Sequence, residues 1–547
     1  MDWDYRSERD GESCLSMEGE RCRLSKGKVL GGSSSINLMH YFRGNPADFD
    51  EWERSGCPGW KFDDVLPYFK KSEKVAADFQ LVNDTDYDQM IRHVRKTVRN
   101  NDKSTYEFSK LIPEDYHSVD GVQPVGHFSY DFYLTTLKKV YCFAADLLGM
   151  DCISDANAEN QLGFVFAMGT VERGSRANTA KAFLNPVKTR SNLFVARKTH
   201  VRRVLMKGGR AVGVEVVRAG KTFEILAKKE VILSAGAFNS PKILMLSGIG
   251  PEEHLKSLGV PVAKNVPGVG ENLQAHPVFF GLPVSVDKDL PEPLKRLQKF
   301  DGMYEFLTRG SGLYGNICMN DFVGFVATQE KSKLPDLQLL HFVNHLNDTY
   351  LFNELFRALG MKSSVNDQFA EYTAQSKVML MCPAVLTPKS RGTVRLASAK
   401  PDDPPKITTN ILKEKEDFDT LLRGIKLAVK LIKTDSFGVV QAELLKLDLP
   451  GCEDLELDTD EYWKCLARHM TTTLHNYAGT CKMGEDEMSV VDATLKVRGV
   501  DGLRVADSSI MPNIIRGSTH TVAIMIGEKV SDMIKDQWEK GITHDEM

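Results

Sequence analysis

A buried strand that leads through a turn of small residues into a helix limits the fold of this chain more than any other feature. The strand is Glu-Val-Ile-Leu at residues 230–233, and the turn is Ser-Ala-Gly-Ala at residues 234–237. The helix is predicted to begin near Ser240 and Pro241, because proline is favoured in the first turn of a helix. Rossmann-like sheets use this arrangement to seat dinucleotides. The sequence therefore predicts an α/β fold with a nucleotide-binding sheet.

Other regular elements are predicted around this unit. Residues 193–196 and 211–217 are β-branched and partly alternating, which is typical of strands. Gly208-Gly209 indicates a hairpin, and residues 138–148 are typical of a helix. Aromatic and methionine-rich segments between residues 280 and 470 fit a covered substrate cavity, although at helical spacing such residues more often form core.

A glycine- and serine-rich loop occupies residues 26–50. Gly27, Gly31 and Gly32 let a ligand approach the backbone closely, and the serines from Ser33 onward expose hydrogen-bond donors. Asn37 offers an amide to the same ligand. The loop predicts a site for a phosphate-bearing or polar planar ligand, but such clusters are also common in solvated loops.

The stretch from residue 473 to residue 521 combines the residue types of an oxidation site. His475 lies just before a Gly-Thr-Cys turn, and a strand-like run at residues 503–505 delivers Asp507 to a loop that opens the last helix. A general base, a carboxylate and a helix N-terminus are the groups that a cofactor-dependent oxidation requires. Taken alone, His475 also fits a loop histidine whose ring is hydrogen-bonded within the protein and has no catalytic role.

Composition excludes several classes of protein. The chain has 547 residues with 42% hydrophobic and 26% charged residues, so two or more globular domains are expected. A net charge of −4 gives no reason to expect nucleic acid as a partner, and no apolar run is long enough to span a membrane. No metal site is predicted, because His341 and His345 lack a third ligand and the glutamate of an HExxH motif.

The sequence leaves the cell compartment open. The ten cysteines form no CxxC pair, which argues against a zinc ribbon, while Cys14 and Cys22 could form a disulfide in an oxidising compartment. Sequons at Asn83 and Asn347 give weak support for secretion. The polar start of the chain is not a signal peptide, so an extracellular location would require one in a segment before Met1.

Three segments resemble signatures of the glucose-methanol-choline (GMC) flavoprotein oxidoreductases. They are GKVLGGSSSINLMHYFRGNPADFD from Gly27, GAFNSPKILMLSGIG from Gly236, and HNYAGTCKMG from His475 with LRVADSSIMP after it. The chain looks most like the insect branch of glucose dehydrogenase-like proteins and ecdysteroid oxidases. The resemblance implies FAD as cofactor. It also implies that FAD contacts Gly31, Gly32, Ser33, Asn37, Met39, Val201, Asp507, Ser508 and Thr519.

The resemblance also implies a catalytic role for His475. In the family, the histidine at this position faces the flavin edge and takes the alcohol proton. Imidazole has a suitable proton affinity near neutral pH, and the hydride passes to the flavin because no side chain accepts one. A second polar catalytic position of the family falls on Ser518 when RGSTHT is read without gaps. His520 is the alternative for that position.

The chain departs from the family pattern at its beginning. Family members open with a strand and a GxGxxG turn that binds the FAD pyrophosphate. Here the only match is Gly310 to Gly315, after a helix-like run, and we interpret it as a loop. An incomplete gene model, a fragment and a variant without tight FAD binding are the alternatives. Incompleteness is favoured because the C-terminal residues are retained in detail.

These features together predict a Rossmann-like FAD-binding domain, incomplete at its N-terminus, and an α+β substrate domain on an antiparallel sheet. The FAD-binding domain is assigned residues 1–50, 186–277 and 476–540, and the substrate domain residues 51–185 and 278–475. The predicted reaction is oxidation of an alcohol to a carbonyl, with oxygen or a quinone as electron acceptor. A sugar or a steroid alcohol such as an ecdysteroid is the candidate substrate. The alternative is a non-catalytic GMC-like binding protein that has lost FAD.

Overall fold

The computed structural model describes residues 1–76, 115–128, 132–286, 298–310, 315, 320–344 and 346–540. The α-helices are α1 Pro46–Arg54, α2 Phe62–Ser72, α3 Phe132–Leu147, α4 Gly236–Leu246, α5 Glu252–Ser257, α6 Gln298–Arg309, α7 Tyr350–Leu359, α8 Ser363–Gln375, α9 Lys415–Ile432, α10 Asp435–Gly438, α11 Asp460–Met470 and α12 Thr519–Lys540. Short 3-10 helices occupy Glu18–Glu20, Gly32–Ser35, Asn185–Val187 and Ser508–Ile510, and a π-helix occupies Ala180–Leu184.

The β-strands in the first half of the chain are β1 Tyr5–Arg6, β2 Arg23–Leu24, β3 Glu73–Val75, β4 Gln123–His127, β5 Cys152–Ile153, β6 Gly163–Phe166, β7 Met168–Gly169, β8 Val171–Glu172, β9 Ser175–Arg176, β10 Thr199–Lys207, β11 Arg210–Arg218, β12 Lys221–Leu226, β13 Val231–Leu233, β14 Ile249–Gly250 and β15 Lys264–Asn265. The later strands are β16 Gln274–Phe279, β17 Leu282–Val286, β18 Phe322–Val326, β19 Leu337–Asn344, β20 Lys377–Val385, β21 Thr393–Arg395, β22 Lys406–Thr408, β23 Glu443–Leu444, β24 Thr471–Ala478 and β25 Leu503–Val505.

The largest sheet has nine strands. Its order is β23-β17-β20-β19-β18-β6-β5, and β16 pairs with both β20 and β24. All these pairings are antiparallel except the one between β5 and β6 at the edge. Every residue of β19 and β20 is buried, and both strands lie in the middle of the sheet. This confirms the predicted antiparallel sheet.

The predicted strand-turn-helix unit is present as a parallel pair. Strand β13 pairs with β25 in register from Val231 opposite Leu503, and α4 follows β13 while α12 comes after β25. The predicted start of the first helix was wrong, because α4 begins at Gly236 and Pro241 lies inside it. Proline has no N–H to donate one turn back. The Thr480 hydroxyl instead donates to the Ala237 carbonyl at 2.6 Å.

One predicted strand is absent. Residues 193–196 form an irregular segment, and the strand β10 begins only at Thr199. Phe194 is 88% exposed, so this apolar run does not contribute to a buried face. The hairpin at Gly208-Gly209 is confirmed between β10 and β11, and both glycines have positive φ. The predicted helix at residues 138–148 corresponds to the C-terminal part of α3, which ends at Leu147.

The described residues form two large apolar cores and a small third cluster of Tyr41, Val75, Val125 and Met168. One large core packs around the large sheet, and the other packs around the parallel pair, α1, α2 and α12. The assigned domain boundaries stay a prediction. Within the described ranges, no helix is both long enough and apolar enough to span a bilayer. The GxGxxG match from Gly310 to Gly315 was predicted to be a loop, and the residues between these two glycines lie outside the described part of the chain.

Three disulfides lie in the described part of the chain. The Cys14–Cys22 bridge, which the sequence left open, is present, together with Cys142–Cys152 and Cys452–Cys465. Cys57, Cys382 and Cys481 are free and buried, while Cys318 lies outside the described residues. Of the two sequons, Asn347 is exposed and Asn83 lies outside the described ranges.

Candidate active site

A cavity of about 2630 Å³ lies beside the large sheet and the carboxyl ends of the parallel pair. Segments distant in sequence line it, including the glycine-serine loop, the end of β13, the middle of β24 and the start of α12. Ligand cavities for small molecules usually measure about 300–1,000 Å³. This cavity therefore has room for a large cofactor together with a substrate.

The glycine-serine loop forms one wall through a short 3-10 helix at Gly32–Ser35. A Cβ atom on Gly27 would lie 2.2 Å from the Gly32 carbonyl oxygen, so only glycine fits there. Gly31 and Gly32 both have positive φ, and a Cβ atom on Gly32 would meet nothing within 4 Å. The backbone of Gly32 therefore faces open space, where a planar ligand can approach it.

Asn37 is held in place by its side-chain oxygen. That oxygen accepts hydrogen bonds from Arg176 at 2.7 Å and from the Met39 backbone N–H at 3.0 Å. The amide nitrogen of Asn37 makes no hydrogen bond to a described residue. Since Asn37 lines the cavity, this amide is available to a ligand as a donor.

Asp507 connects the two strands of the parallel pair. Its carboxylate accepts hydrogen bonds from the Gly236 N–H, the Ser240 hydroxyl and the Ser509 N–H, at 2.8, 2.5 and 2.8 Å. Both carboxylate oxygens therefore have protein donors. Asp507 fixes the turn after β13 against the end of β25, and Ser508 stands beside it on the cavity wall.

A bulge in β24 places His475 on the cavity wall. Ala275 pairs with Tyr477 and Pro277 pairs with Thr473, so residues 474–476 of β24 stand opposite a single residue of β16. His475 has φ of +58°, a conformation that is uncommon for residues other than glycine. Bulges of this kind redirect a side chain next to active sites.

The imidazole of His475 belongs to a short hydrogen-bonded chain. Its Nδ1 lies 3.2 Å from the Tyr477 hydroxyl, which lies 2.6 Å from the Thr473 hydroxyl. Lys26 donates to the His475 carbonyl oxygen at 3.0 Å and lies 4.6 Å from the centre of the Tyr477 ring. Burial, reinforced by the Lys26 charge, lowers the pKa of His475 to about 4. The imidazole is therefore neutral at pH 7.

The first residues of α12 complete the wall. Ser518, Thr519 and His520 all line the cavity, and the Thr519 hydroxyl donates to the side-chain oxygen of Asn476 at 3.2 Å. Burial, reinforced by the Arg176 charge, lowers the pKa of His520 to about 4. Its Nε2 is buried without a hydrogen-bond partner in the described structure. A neutral ring nitrogen without a partner beside a cavity indicates a contact with a ligand.

The structure brings all twelve predicted site residues to this one cavity. They are Gly31, Gly32, Ser33, Asn37, Met39, Val201, His475, Asp507, Ser508, Ser518, Thr519 and His520. Their roles stay predictions. Lys26, Arg176, Asn476 and Tyr477 were not predicted as site residues. Lys26, Asn476 and Tyr477 adjoin or lie within the quoted motifs, so proximity to a motif was the available signal.

His341 does not belong to the site. Its ring centre lies 4.2 Å from that of Tyr141, and its Nδ1 donates to the Phe322 carbonyl at 3.1 Å. His345, its suggested partner, lies outside the described residues.

Two family models match most of the chain. The N-terminal GMC oxidoreductase model matches residues 8–278, and the C-terminal GMC oxidoreductase model matches residues 388–527. The chain belongs to the GMC oxidoreductase family. This confirms the predicted family and its class of flavoprotein oxidoreductases.

Curated relatives share nearly the full length of this GMC family member. A protein named glucose dehydrogenase [FAD, quinone] from Drosophila melanogaster is 36% identical over 98% of this chain and 79% of its own length. Ecdysone oxidase from Bombyx mori is 30% identical over 98% of this chain and 74% of its own length. Both are insect proteins, in agreement with the predicted branch.

Solved structures share the fold. Formate oxidase has a TM-score of 0.77 at 24% identity, covering 98% of this chain and 89% of that structure. An FAD-dependent oxidoreductase from Chaetomium thermophilum has a TM-score of 0.77 at 22% identity, with coverages of 98% and 90%. The predicted fold class is therefore confirmed.

The cavity fits the FAD that the family implies. Its volume suits a dinucleotide, and Gly32 gives close access to the backbone. The Asn37 amide nitrogen and the buried Nε2 of His520, both at the cavity, have no partner among the described residues. Near Val201 the rim carries cationic side chains, which would favour an anionic ligand. They are Lys28, Arg197, Lys198 and Arg218.

Proposed function

We propose that this GMC oxidoreductase oxidises an alcohol CH–OH group to a carbonyl with FAD as cofactor and His475 as general base. The observation that carries the proposal is the convergence of the twelve predicted residues on one cavity, with His475 on a bulge of β24. A sugar or a steroid alcohol is the candidate substrate. Oxygen or a quinone is the candidate electron acceptor.

In this proposal, the glycine-serine loop and the start of α12 hold the cofactor. The residues that would contact it are Gly31, Gly32, Ser33, Asn37, Met39, Val201, Asp507, Ser508 and Thr519. Bound FAD supplies the acceptor for the hydride, which no side chain can provide. The N-terminus of α12 lies at the cavity wall, where its free backbone N–H groups would favour negative charge on a bound ligand.

His475 removes the proton of the alcohol. With a proton on Nδ1, the imidazole donates to the Tyr477 hydroxyl oxygen, which in turn donates to Thr473. Nε2 then keeps its lone pair for the alcohol. Because the pKa of His475 is lowered to about 4, the ring is in the accepting form throughout the neutral range.

Replacement of His475 by alanine tests the base. Loss of a general base typically lowers kcat about 10²–10⁴-fold, and this range is expected for His475→Ala in enzyme that keeps its flavin absorbance. His254→Ala is the matched control, since His254 contacts Leu396 and does not line the cavity. Undiminished turnover of the preferred alcohol by His475→Ala would exclude His475 as the base.

His520 is the second candidate for the base, because its Nε2 is buried without a partner in the described structure. Measurement of kcat for His520→Ala and for His475→Ala separates the two residues. Ser518→Ala tests the residue that aligns with the second polar catalytic position of the family. The larger loss of kcat identifies the base. Purified protein that is colourless, cannot be reconstituted with FAD and oxidises no alcohol would instead support the non-catalytic binding protein.

A further inference from the structure

One face of β19 forms part of the cavity wall. Successive side chains of a strand point to opposite faces, and Gln338, Leu340 and Phe342 are the residues of β19 that line the cavity. Leu339 and His341 point the other way, into the core. This part of the cavity wall is therefore set by alternate residues of one central strand of the large sheet.

This wall is mostly apolar. Phe280 lies beside Phe342, with ring centres 6.3 Å apart, and Leu340 is buried between the positions of Gln338 and Phe342. Phe42 and Leu359 also line the cavity and are at most 4% exposed. Apolar side chains cannot hydrogen-bond the hydroxyl groups of a ligand, and such groups lose water when they are pressed against them.

Gln338 is the polar exception on this face of β19. The residue is only 5% exposed, and its side-chain amide makes no hydrogen bond to any described residue. Buried amides nearly always have partners. Since Gln338 lines the cavity, its amide is available to a hydrogen-bonding group of a ligand.

The register of the sheet sets the distance between Gln338 and the strand that carries His475. Gln338 pairs with Ala384, Ala384 with Val278, and Val278 with Thr472. Three spacings of about 4.8 Å separate β19 from β24, so the two backbones are roughly 14 Å apart. His475 lies three residues beyond Thr472 on β24. The span suits a molecule much longer than a monosaccharide ring.

We infer that the wall binds the non-reacting part of the alcohol as a bulky apolar skeleton, with one remote hydrogen-bonding group held by the Gln338 amide. The inference rests on the proposed function and chooses between its two substrate classes. A fused-ring alcohol of the steroid type fits the wall. A sugar would place several hydroxyl groups against phenylalanine and leucine side chains.

A binding experiment on the flavin-loaded enzyme tests this inference. The probes are 3-hydroxyandrostan-17-one, the same steroid without its ketone, and glucose, and the measurement is Kd by isothermal titration calorimetry. We expect the ketone to tighten binding about 10-fold and glucose to bind at least about 100-fold more weakly than the keto steroid. Glucose binding as tight as that of the keto steroid would overturn the inference.

Substitution of Gln338 isolates the role of its amide. Gln338→Leu should reduce the advantage of the ketone to within about 2-fold, because the hydrogen bond is lost. Gln338→Met keeps the length of the side chain and provides a second variant if the first fails to fold. Gln329→Leu is the matched control on an exposed residue outside the cavity. An unchanged ketone advantage in a folded Gln338 variant would contradict the inference.

The binding results are separate from the proposed reaction. If the steroid binds as expected and the flavin-loaded enzyme oxidises no alcohol, the subsite is supported and the proposed function fails. If glucose is oxidised through His475 and also binds more tightly than the steroid, the proposed function is supported and the steroid subsite fails.

Discussion

At the scale of single residues, the conformation of His475 depends on contacts that its own sequence neighbours do not reveal. The left-handed φ and the bulge exist because β24 shifts register against β16 between Ala275 and Pro277. The motif predicted which residues meet at the cavity. It could not predict the bulge, the tautomer-setting contact with Tyr477 or the approach of Lys26, because those arise from long-range pairing.

The pKa of His475 predicts the acid limb of the pH profile. A base is active when deprotonated, and burial lowers the pKa of His475 to about 4. We expect kcat/KM to stay level from about pH 7 to about pH 5 and to fall below it, towards a midpoint near 4. Steady-state kinetics across this range check the prediction. An acid limb centred near 6.5, the ordinary value for histidine, would contradict it.

The same shift has a sign for stability. The folded-state pKa of His475 lies below the unfolded value, so between pH 6.5 and pH 4 the unfolded chain binds more protons. The contribution of His475 to the free energy of unfolding therefore falls as the pH is lowered from 6.5 to 4.

Tyr477 is expected to act as a positioning residue. Tyr477→Phe removes the hydroxyl that contacts Nδ1 of His475 and leaves the ring in place. We expect kcat to fall about 10-fold with little change in KM, and the acid limb of kcat/KM to move, because the preferred tautomer of the imidazole is lost. Tyr462→Phe is the control, since the buried Tyr462 hydroxyl bonds Leu447 elsewhere. Unchanged kcat and pH profile in Tyr477→Phe would remove Tyr477 from the site.

At the scale of elements, local patterns succeeded where burial agreed with them. The strands β13 and β25 were predicted, and their residues are buried except Ile232, which is 40% exposed. Residues 193–196 have the same apolar character but lie at the surface, with Phe194 88% exposed. Pro241 correctly indicated a helix, but the helix begins earlier, at Gly236. Pro241 is tolerated inside α4 because the Thr480 hydroxyl donates to the Ala237 carbonyl, which receives no hydrogen bond from the proline.

The contact of Thr480 with Ala237 predicts a cost to stability. Thr480→Val leaves the buried Ala237 carbonyl without a partner inside α4. The free energy of unfolding should fall by about 1–3 kcal/mol, measured by urea unfolding. The exposed Thr222→Val in β12 is the control and should change it by less than about 0.5 kcal/mol. Equal effects of the two substitutions would show that the hydrogen bond does not support α4.

At the scale of the whole molecule, the cavity is assembled from segments hundreds of residues apart. The family motifs account for the walls that bear Gly31, His475 and His520. The apolar wall on β19 carries no motif, and its role follows only from the folded structure, in which one face of this central strand lines the cavity. Substrate preference is therefore the property that the sequence predicted least.

The three disulfides tie short, separate parts of this scaffold. Cys452–Cys465 joins the loop before α11 to α11 itself, which leads directly into β24 and His475. In the chain-entropy model, a bridge of this span stabilises a protein by about 3 kcal/mol. We expect the Cys452→Ser, Cys465→Ser double variant to lose about that much unfolding free energy in urea, while Cys57→Ala, which removes a buried free thiol, loses about 1 kcal/mol.

Alkylation of denatured, unreduced protein followed by peptide mass spectrometry should label Cys57, Cys382 and Cys481 and spare the six bridged cysteines. Labelling of Cys452 without reductant would show that this bridge does not form, and the stability difference between the two variants should then disappear.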